Sequence, residues 1–119
     1  MTTHETTARQ LAADTSTLPI SANTSARQGD LILRKISGDA PGPLPAIAIL
    51  LAEGNHGEHW AVGPCALDGD VLAVGPGVVV VHTDKPEARH RAIALEPGMW
   101  TRSKQREIGL DLVVQKVVD

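Results

Sequence analysis

The stretch "AIAILLAEGNHGEHWAVG", residues 46–63, decides the fold class. Two apolar segments, 46–54 and 58–63, flank a short polar loop that is bounded by glycines. The first segment is mainly aliphatic and the second contains Trp60, Ala61 and Val62, so both suit a pleated, buried strand. The stretch therefore predicts two successive buried strands, with Gly54 and Gly57 making the turn between them.

The same pattern continues on both sides of this stretch. Short apolar runs alternate with turn residues about every 8–12 positions, which is typical of an all-β barrel or sandwich. The further predicted strands cover residues 31–36, 68–75, 77–82, 89–96 and 99–108. The tail fits either a helical face or a strand over 112–118, and the strand is favoured because valine is a poor helix former. We therefore expect a small, mainly β domain with a β-barrel or β-sandwich of about seven or eight short strands.

The run "GVVVVH", residues 77–82, contains four consecutive valines. A half-buried strand alternates apolar and polar residues, so an unbroken valine run indicates burial on both faces or at a protein interface.

Composition limits the class of protein. The 119 residues suit one domain, and the absence of Phe and Tyr leaves a core of Val, Ile, Leu and Ala. The net charge is −3 and aromatic residues make up only 2%, so the clustered cations and stacking rings of a nucleic-acid interface are scarce. We expect no nucleic-acid partner.

The location follows from three further features. The single cysteine, Cys65, permits no internal disulfide. No apolar run approaches the roughly 20 residues of a spanning helix, and the first residues lack the apolar core of a secretory signal. We expect no membrane partner, and a location in the cytoplasm or within a virion or other assembly.

The N-terminal segment differs from the rest of the chain. Residues 1–26 are rich in Thr, Ser and Ala and show no sustained apolar period. They predict a flexible or partner-bound N-terminal arm, and a short helix over residues 3–13, which Thr3 could cap, is the alternative. Residues 27–119 then form a single β domain.

Histidine is the candidate metal ligand, because imidazole binds Zn, Fe, Cu and Ni. Four histidines lie in the predicted domain, and they are His56, His59, His82 and His90. A divalent transition metal requires three or four ligands that converge, so their geometry decides whether a site forms. Glu53 and Glu58 are candidates to assist.

Each candidate has an alternative interpretation. Loop histidines are often solvated or bonded to the backbone, and acid–base use without metal is a third alternative. Cys65 fits a buried small thiol better than a nucleophile, because no local signature supplies a base. The charged segment 102–108 fits either a solvated edge strand or a recognition face for an acidic partner.

Several short blocks stand in a fixed order along the chain. They are Arg27-Gln28-Gly29-Asp30, Ala52-Glu53-Gly54, His56 with His59, His82 with His90, Leu95-Glu96-Pro97-Gly98-Met99-Trp100 and Lys104-Gln105-Arg106-Glu107-Ile108. In this order, and over roughly residues 26–119, the chain resembles a group of small, uncharacterised bacterial and phage proteins. The histidines on a β scaffold also resemble those of cupins, at the level of fold class only.

Two functions follow as expectations. The first is a non-enzymatic interaction or assembly protein, a homo-oligomer or one with a protein partner, in which the arm and the valine-rich strand face engage a neighbour. The alternative is a cupin-like metal-binding protein or enzyme that uses the histidine cluster. No complete catalytic constellation is present, so no catalytic residue is assigned.

Overall fold

The computed structural model describes residues 3–13, 19–39, 42–54, 57–83 and 91–104. Within these ranges one helix, α1 (Thr3–Ala13), precedes nine strands. The strands are β1 (Ile20–Ala22), β2 (Ser25–Gln28), β3 (Leu31–Ser37), β4 (Ala46–Gly54), β5 (Gly57–Asp68), β6 (Val71–Val74), β7 (Val79–His82), β8 (Ile93–Leu95) and β9 (Gly98–Lys104).

The strands form a nearly closed barrel, so the predicted fold class is confirmed. Eight of them follow the order β1-β8-β7-β5-β6-β9-β3-β2, and β4 pairs with β5 outside this path. The two ends of the path, β1 and β2, are neighbours in the chain. Beside them, Ala22 accepts a hydrogen bond from the Glu96 amide and Thr24 accepts one from the Lys35 amide. The chain thus crosses from one end of the sheet to the other.

Strand β5 is long because it serves two parts of the barrel. Residues 59–62 pair with β7, and residues 65–68 pair with β6. The sequence predicted that this strand would end at Gly63, but it continues through Pro64. Gly63 has a φ of 134°, and a Cβ there would lie 3.1 Å from the Gly77 carbonyl oxygen. Glycine therefore allows this close approach between neighbouring segments.

The barrel interior is filled by aliphatic side chains and one tryptophan. Leu31, Leu72 and Val80 are fully buried, and Trp100 is buried among them with its Nε1–H donating to the Glu96 carbonyl oxygen at 2.9 Å. The sequence predicted an exposed or lightly buried strand around Trp100. Residues 101–104 are half-buried, as predicted, but Trp100 itself is part of the core, where its large ring buries much apolar surface.

The valine strand is buried on both faces within one chain. Val80 points into the barrel core, whereas Val81 points to the outer face, where it packs with Ala8 of α1. Contacts within one chain therefore cover both faces of the valine run.

The N-terminal segment differs from the predicted arm of residues 1–26. Helix α1 covers the predicted range 3–13 and packs on the outer face of the sheet, where Ala8 is fully buried. Strand β1 pairs with β8, and β2 pairs with β3. Strands of three and four residues are too short to show an apolar period, which is why the sequence placed the start of the domain at residue 27.

No helix in the described part of the chain is long and apolar enough to cross a membrane. The predicted strand over residues 112–118 lies outside the described residues, as do residues 89–90 and 105–108 of two other predicted strands.

Candidate functional site

His59 and His82 face each other across two neighbouring strands. They are direct partners in the antiparallel β5–β7 pair. Their rings stack with centroids 4.1 Å apart and planes inclined by 22°. Both side chains are buried, with 1% and 5% of their surface exposed, and they point to the face opposite Trp60 and Val81. The register therefore places both imidazoles inside the barrel.

Gln28 holds His59 from the end of β2. Its Nε2 donates to the carbonyl oxygens of Val80 at 3.1 Å and Arg91 at 3.0 Å. Its Oε1 lies 2.9 Å from His59 Nδ1. Because both N–H groups of the Gln28 amide donate to carbonyl oxygens, the amide oxygen is the atom that faces His59, and an oxygen can only accept. His59 Nδ1 must therefore carry a proton and donate it to Gln28.

Asp30 reaches the other side of the same ring. It follows Gly29 in the two-residue turn between β2 and β3, and Gly29 has a φ of 60°. Positive φ at the first of two central positions is what a type II′ hairpin turn requires. The Asp30 Oδ1 atom lies 3.2 Å from His59 Nε2, and the Asp30 side chain remains 43% exposed. Both nitrogens of a buried histidine thus face an oxygen atom.

Gln28, His59 and His82 form a polar cluster inside the barrel. They are the buried polar side chains among the described residues, in a core that is otherwise aliphatic apart from Trp100 and Cys65. Burying an amide or an imidazole costs free energy unless hydrogen bonds compensate, and such clusters fix one arrangement of the core. This concentration of polar groups marks the cluster as the candidate site.

The structure brings together part of the predicted metal set. His59 and His82 are neighbours, whereas His56 and His90 lie outside the described residues. Within the described ranges no group of three His, Cys, Asp or Glu side chains is placed to hold an ion. The four-histidine metal site therefore stays a prediction.

The two glutamates do not join His59. Glu58 precedes it on β5 and points to the opposite face, where its Oε1 accepts from Trp60 Nε1 at 3.1 Å. Glu53 is exposed, and it pairs with Glu58 in the β4–β5 ladder. Sequence proximity suggested these partners, but the alternation of a strand places adjacent side chains on opposite faces.

Sequence reasoning missed Gln28 and Asp30 as site residues. They are 31 and 29 positions from His59, so no local pattern connects them to it. The available signal was the Arg27-Gln28-Gly29-Asp30 block, which the resemblance had already singled out beside the histidines.

Cys65 lies in the core, as the buried-thiol interpretation expected. Burial raises the pKa of the Cys65 thiol to about 11 by disfavouring the charged thiolate. A thiol with such a pKa is almost entirely protonated at neutral pH and is a poor nucleophile.

The basic side chains of β9 bind backbone carbonyl oxygens of the same chain. Neither the solvated edge strand nor the recognition face for an acidic partner predicted these contacts. Arg102 Nη1 donates to the Leu51 carbonyl oxygen at 2.6 Å, and its Nη2 donates to that of Gly69 at 3.2 Å. Lys104 Nζ donates to the Glu53 carbonyl oxygen at 2.7 Å. These side chains link β9 to β4, and they supply donors where the two strands share no backbone ladder.

No protein-family model, curated protein or solved structure matches this chain. The resemblance to the bacterial and phage group therefore stays a prediction.

Proposed function

We propose that this chain is a non-enzymatic assembly protein whose α1 helix packs on the sheet of a second copy. The observation that supports the proposal is the contact between α1 and the outer face of the barrel. The predicted arm and the predicted apolar strand face are the two surfaces that meet there.

The surface beneath α1 is strongly apolar. Trp60 and Val81 are buried there, and further aliphatic side chains surround them. The surrounding residues on the sheet are Ala48, Leu50, Val62 and Val79. Exposed apolar surfaces of this kind drive association when nothing covers them. The barrel therefore needs a helix on this face.

The helix contributes few and small side chains. Ala8 is fully buried, and Leu11 and Ala12 pack beside it. An isolated helix of 11 residues is not stable in water, so α1 depends on the sheet for its own structure. The contact is the same whether the sheet belongs to its own chain or to another.

Exchange of α1 between two copies would cost little free energy, because each copy keeps the same contact between helix and sheet. Exchange of an identical element between copies preserves every contact except those of the connecting segment. Protein concentration then decides between the monomeric and the exchanged arrangement.

Cross-chain disulfide trapping tests the proposal. In a Cys65→Ala background, one chain carries Ala8→Cys and a second carries Val81→Cys, and the two are mixed at high concentration and oxidised. We expect a covalent dimer on a non-reducing gel and a dimer mass by light scattering. The double variant in one chain verifies that the two sulfurs can meet. Thr6→Cys, on the exposed side of α1, reports random collisions.

Two results together would overturn the proposal. The double variant would form its internal disulfide, and the mixture would form no cross-chain disulfide and keep a monomeric mass at every concentration. A cross-link with Thr6→Cys as strong as that with Ala8→Cys would also overturn it, because the trapped contact would then be non-specific.

A further inference from the structure

We infer that the outer edge of β4 is the docking site for residues 110–118 of the same chain, which add a strand beside it. Among the described residues β4 pairs with β5 alone, so one of its two edges has no strand partner there. Alternate residues of a strand direct their N–H and C=O groups to each edge. This surface differs from the one that α1 contacts, and the inference is independent of the assembly proposal.

The first argument is the chemistry of the edge. Strand β4 has nine residues, "AIAILLAEG", and is mainly aliphatic. An unpaired edge of this kind is a template for pairing with another segment, and folded proteins usually cover it or place charges along it. Arg102 and Lys104 reach the carbonyl oxygens of Leu51 and Glu53, near the end of the strand. Along residues 46–50 no strand of the described ranges lies beside this edge.

The second argument is that β4 packs on both of its faces. Ile47 and Ile49 pack against the barrel core, whereas Ala48 and Leu50 belong to the layer that α1 covers. A strand beside β4 extends both layers, so it needs apolar side chains on both faces. Residues 110–118, "LDLVVQKVV", contain six Leu and Val residues, and in an extended chain these lie on both faces.

The third argument is the place where β9 ends. Its last residue, Lys104, donates to the Glu53 carbonyl oxygen, so the chain that follows β9 starts beside the end of β4. Arg102 contacts Leu51, which lies two residues earlier on both strands, so the two strands run in the same direction here. A chain that reverses after β9 therefore runs antiparallel to β4. Residues 105–109 provide five positions for this reversal and end in a glycine, which suits a hairpin loop.

The fourth argument is a cleft between β4 and β9. Its volume is about 410 Å³, and Leu31, Leu50 and Leu51 are part of its lining. Paired strands lie about 4.7–4.9 Å apart, whereas β4 and β9 are joined here by long side chains and share no backbone ladder. The cleft can therefore receive the first apolar side chains of the docked segment, beginning with Leu110.

Amide hydrogen exchange of the full chain, followed by NMR, tests the inference. Within residues 46–50, we expect the amides that face away from β5 to exchange about 100-fold or more slower than those of an unpaired chain. We also expect nuclear Overhauser contacts between the backbone of β4 and that of residues 110–118. Both measurements use the unchanged protein, so they do not depend on the folding of any variant.

Proline substitutions separate the docked segment from the rest of the barrel. Val114→Pro places a residue without an N–H in the middle of the segment, and we expect the outward-facing amides of β4 to exchange about tenfold faster or more. The amides that face β5 should keep their rates, which verifies that the barrel remains folded. Asp119→Pro is the matched control, because it introduces the same residue just beyond the segment, and it should leave both groups of amides unchanged.

A one-to-one mixture of isotope-labelled and unlabelled protein identifies the copy that supplies the added strand. Contacts between β4 and residues 110–118 that cross from one copy to the other would overturn the inference. Fast exchange of the outward-facing amides in the unchanged protein would also overturn it, because the edge would then be open to water. Contacts of α1 that cross between copies concern the assembly proposal alone.

Discussion

Two hairpin turns in this barrel have the same local sequence and different surroundings. Gly29-Asp30 joins β2 to β3, and Gly69-Asp70 joins β5 to β6. Both glycines have a φ of 60°, and both aspartates face a basic side chain of another strand. Asp30 lies 3.2 Å from a His59 ring that is 1% exposed, whereas Asp70 lies 3.5 Å from Arg102, whose side chain is 27% exposed.

The difference shows that the turn and the charge pair have separate causes. The Gly-Asp pair is sufficient to make the turn in both places, because glycine accepts positive φ at no steric cost. The partner of the aspartate depends on which strand passes nearby. In a buried setting a charge pair affects stability and chemistry, whereas an exposed pair contributes little.

The largest effect is expected at Gln28, the residue before the Gly29-Asp30 turn. Gln28→Leu removes the acceptor for His59 Nδ1 and leaves the carbonyl oxygens of Val80 and Arg91 without this donor. We expect a loss of about 3 kcal/mol in the free energy of unfolding, measured by urea denaturation. The control Asp68→Leu changes the corresponding exposed residue and should cost less than about 0.5 kcal/mol. A loss below about 1 kcal/mol for Gln28→Leu would show that the cluster is not a fixed network.

A second, smaller effect should be equal at the two turns. Gly29→Ala and Gly69→Ala each place a side chain at a φ of 60°, which costs about 1–2 kcal/mol. A Cβ on Gly69 meets no atom within 4 Å, so the backbone conformation alone sets its cost. Paired denaturation curves measure both. If one substitution costs several times more than the other, the turns are not equivalent in local conformation.

The smallest effect separates the two aspartates. Asp30→Asn should lower the free energy of unfolding by about 1 kcal/mol, because its partner His59 is buried. Asp70→Asn should change it by less than about 0.5 kcal/mol, since Asp70 is 81% exposed and its ion pair is screened by solvent. Thermal unfolding at low and high salt checks this order, and equal losses would contradict the role given to burial.

Much of the sheet follows from local sequence. The predicted segment 46–54 has the same bounds as β4, and the apolar runs around residues 31, 72, 80 and 93 all lie in strands. Alternation and turn residues identify such strands because their side chains meet one core. The predicted helix over residues 3–13 also matches α1, whereas β1 and β2 were missed because they are too short to show a period.

The candidate site was predictable only in part. The sequence pointed to His59 and His82, and their approach depended on the β5–β7 register. A slip of one residue would have sent one ring to the outer face with Trp60. Gln28 and Asp30 were not predictable as partners, since hydrogen bonds across some 30 residues have no local signature.

The sequence by itself determined the chemistry that each segment carries. Aliphatic runs specify strands, Gly-Asp pairs specify turns at residues 29 and 69, and the lack of Phe and Tyr specifies an aliphatic core. The tertiary structure alone decided that Gln28 selects the tautomer of His59, that Arg102 links β9 to β4, and that α1 covers the outer valines. These outcomes depend on register and on packing between distant segments, and both arise only when the whole barrel closes.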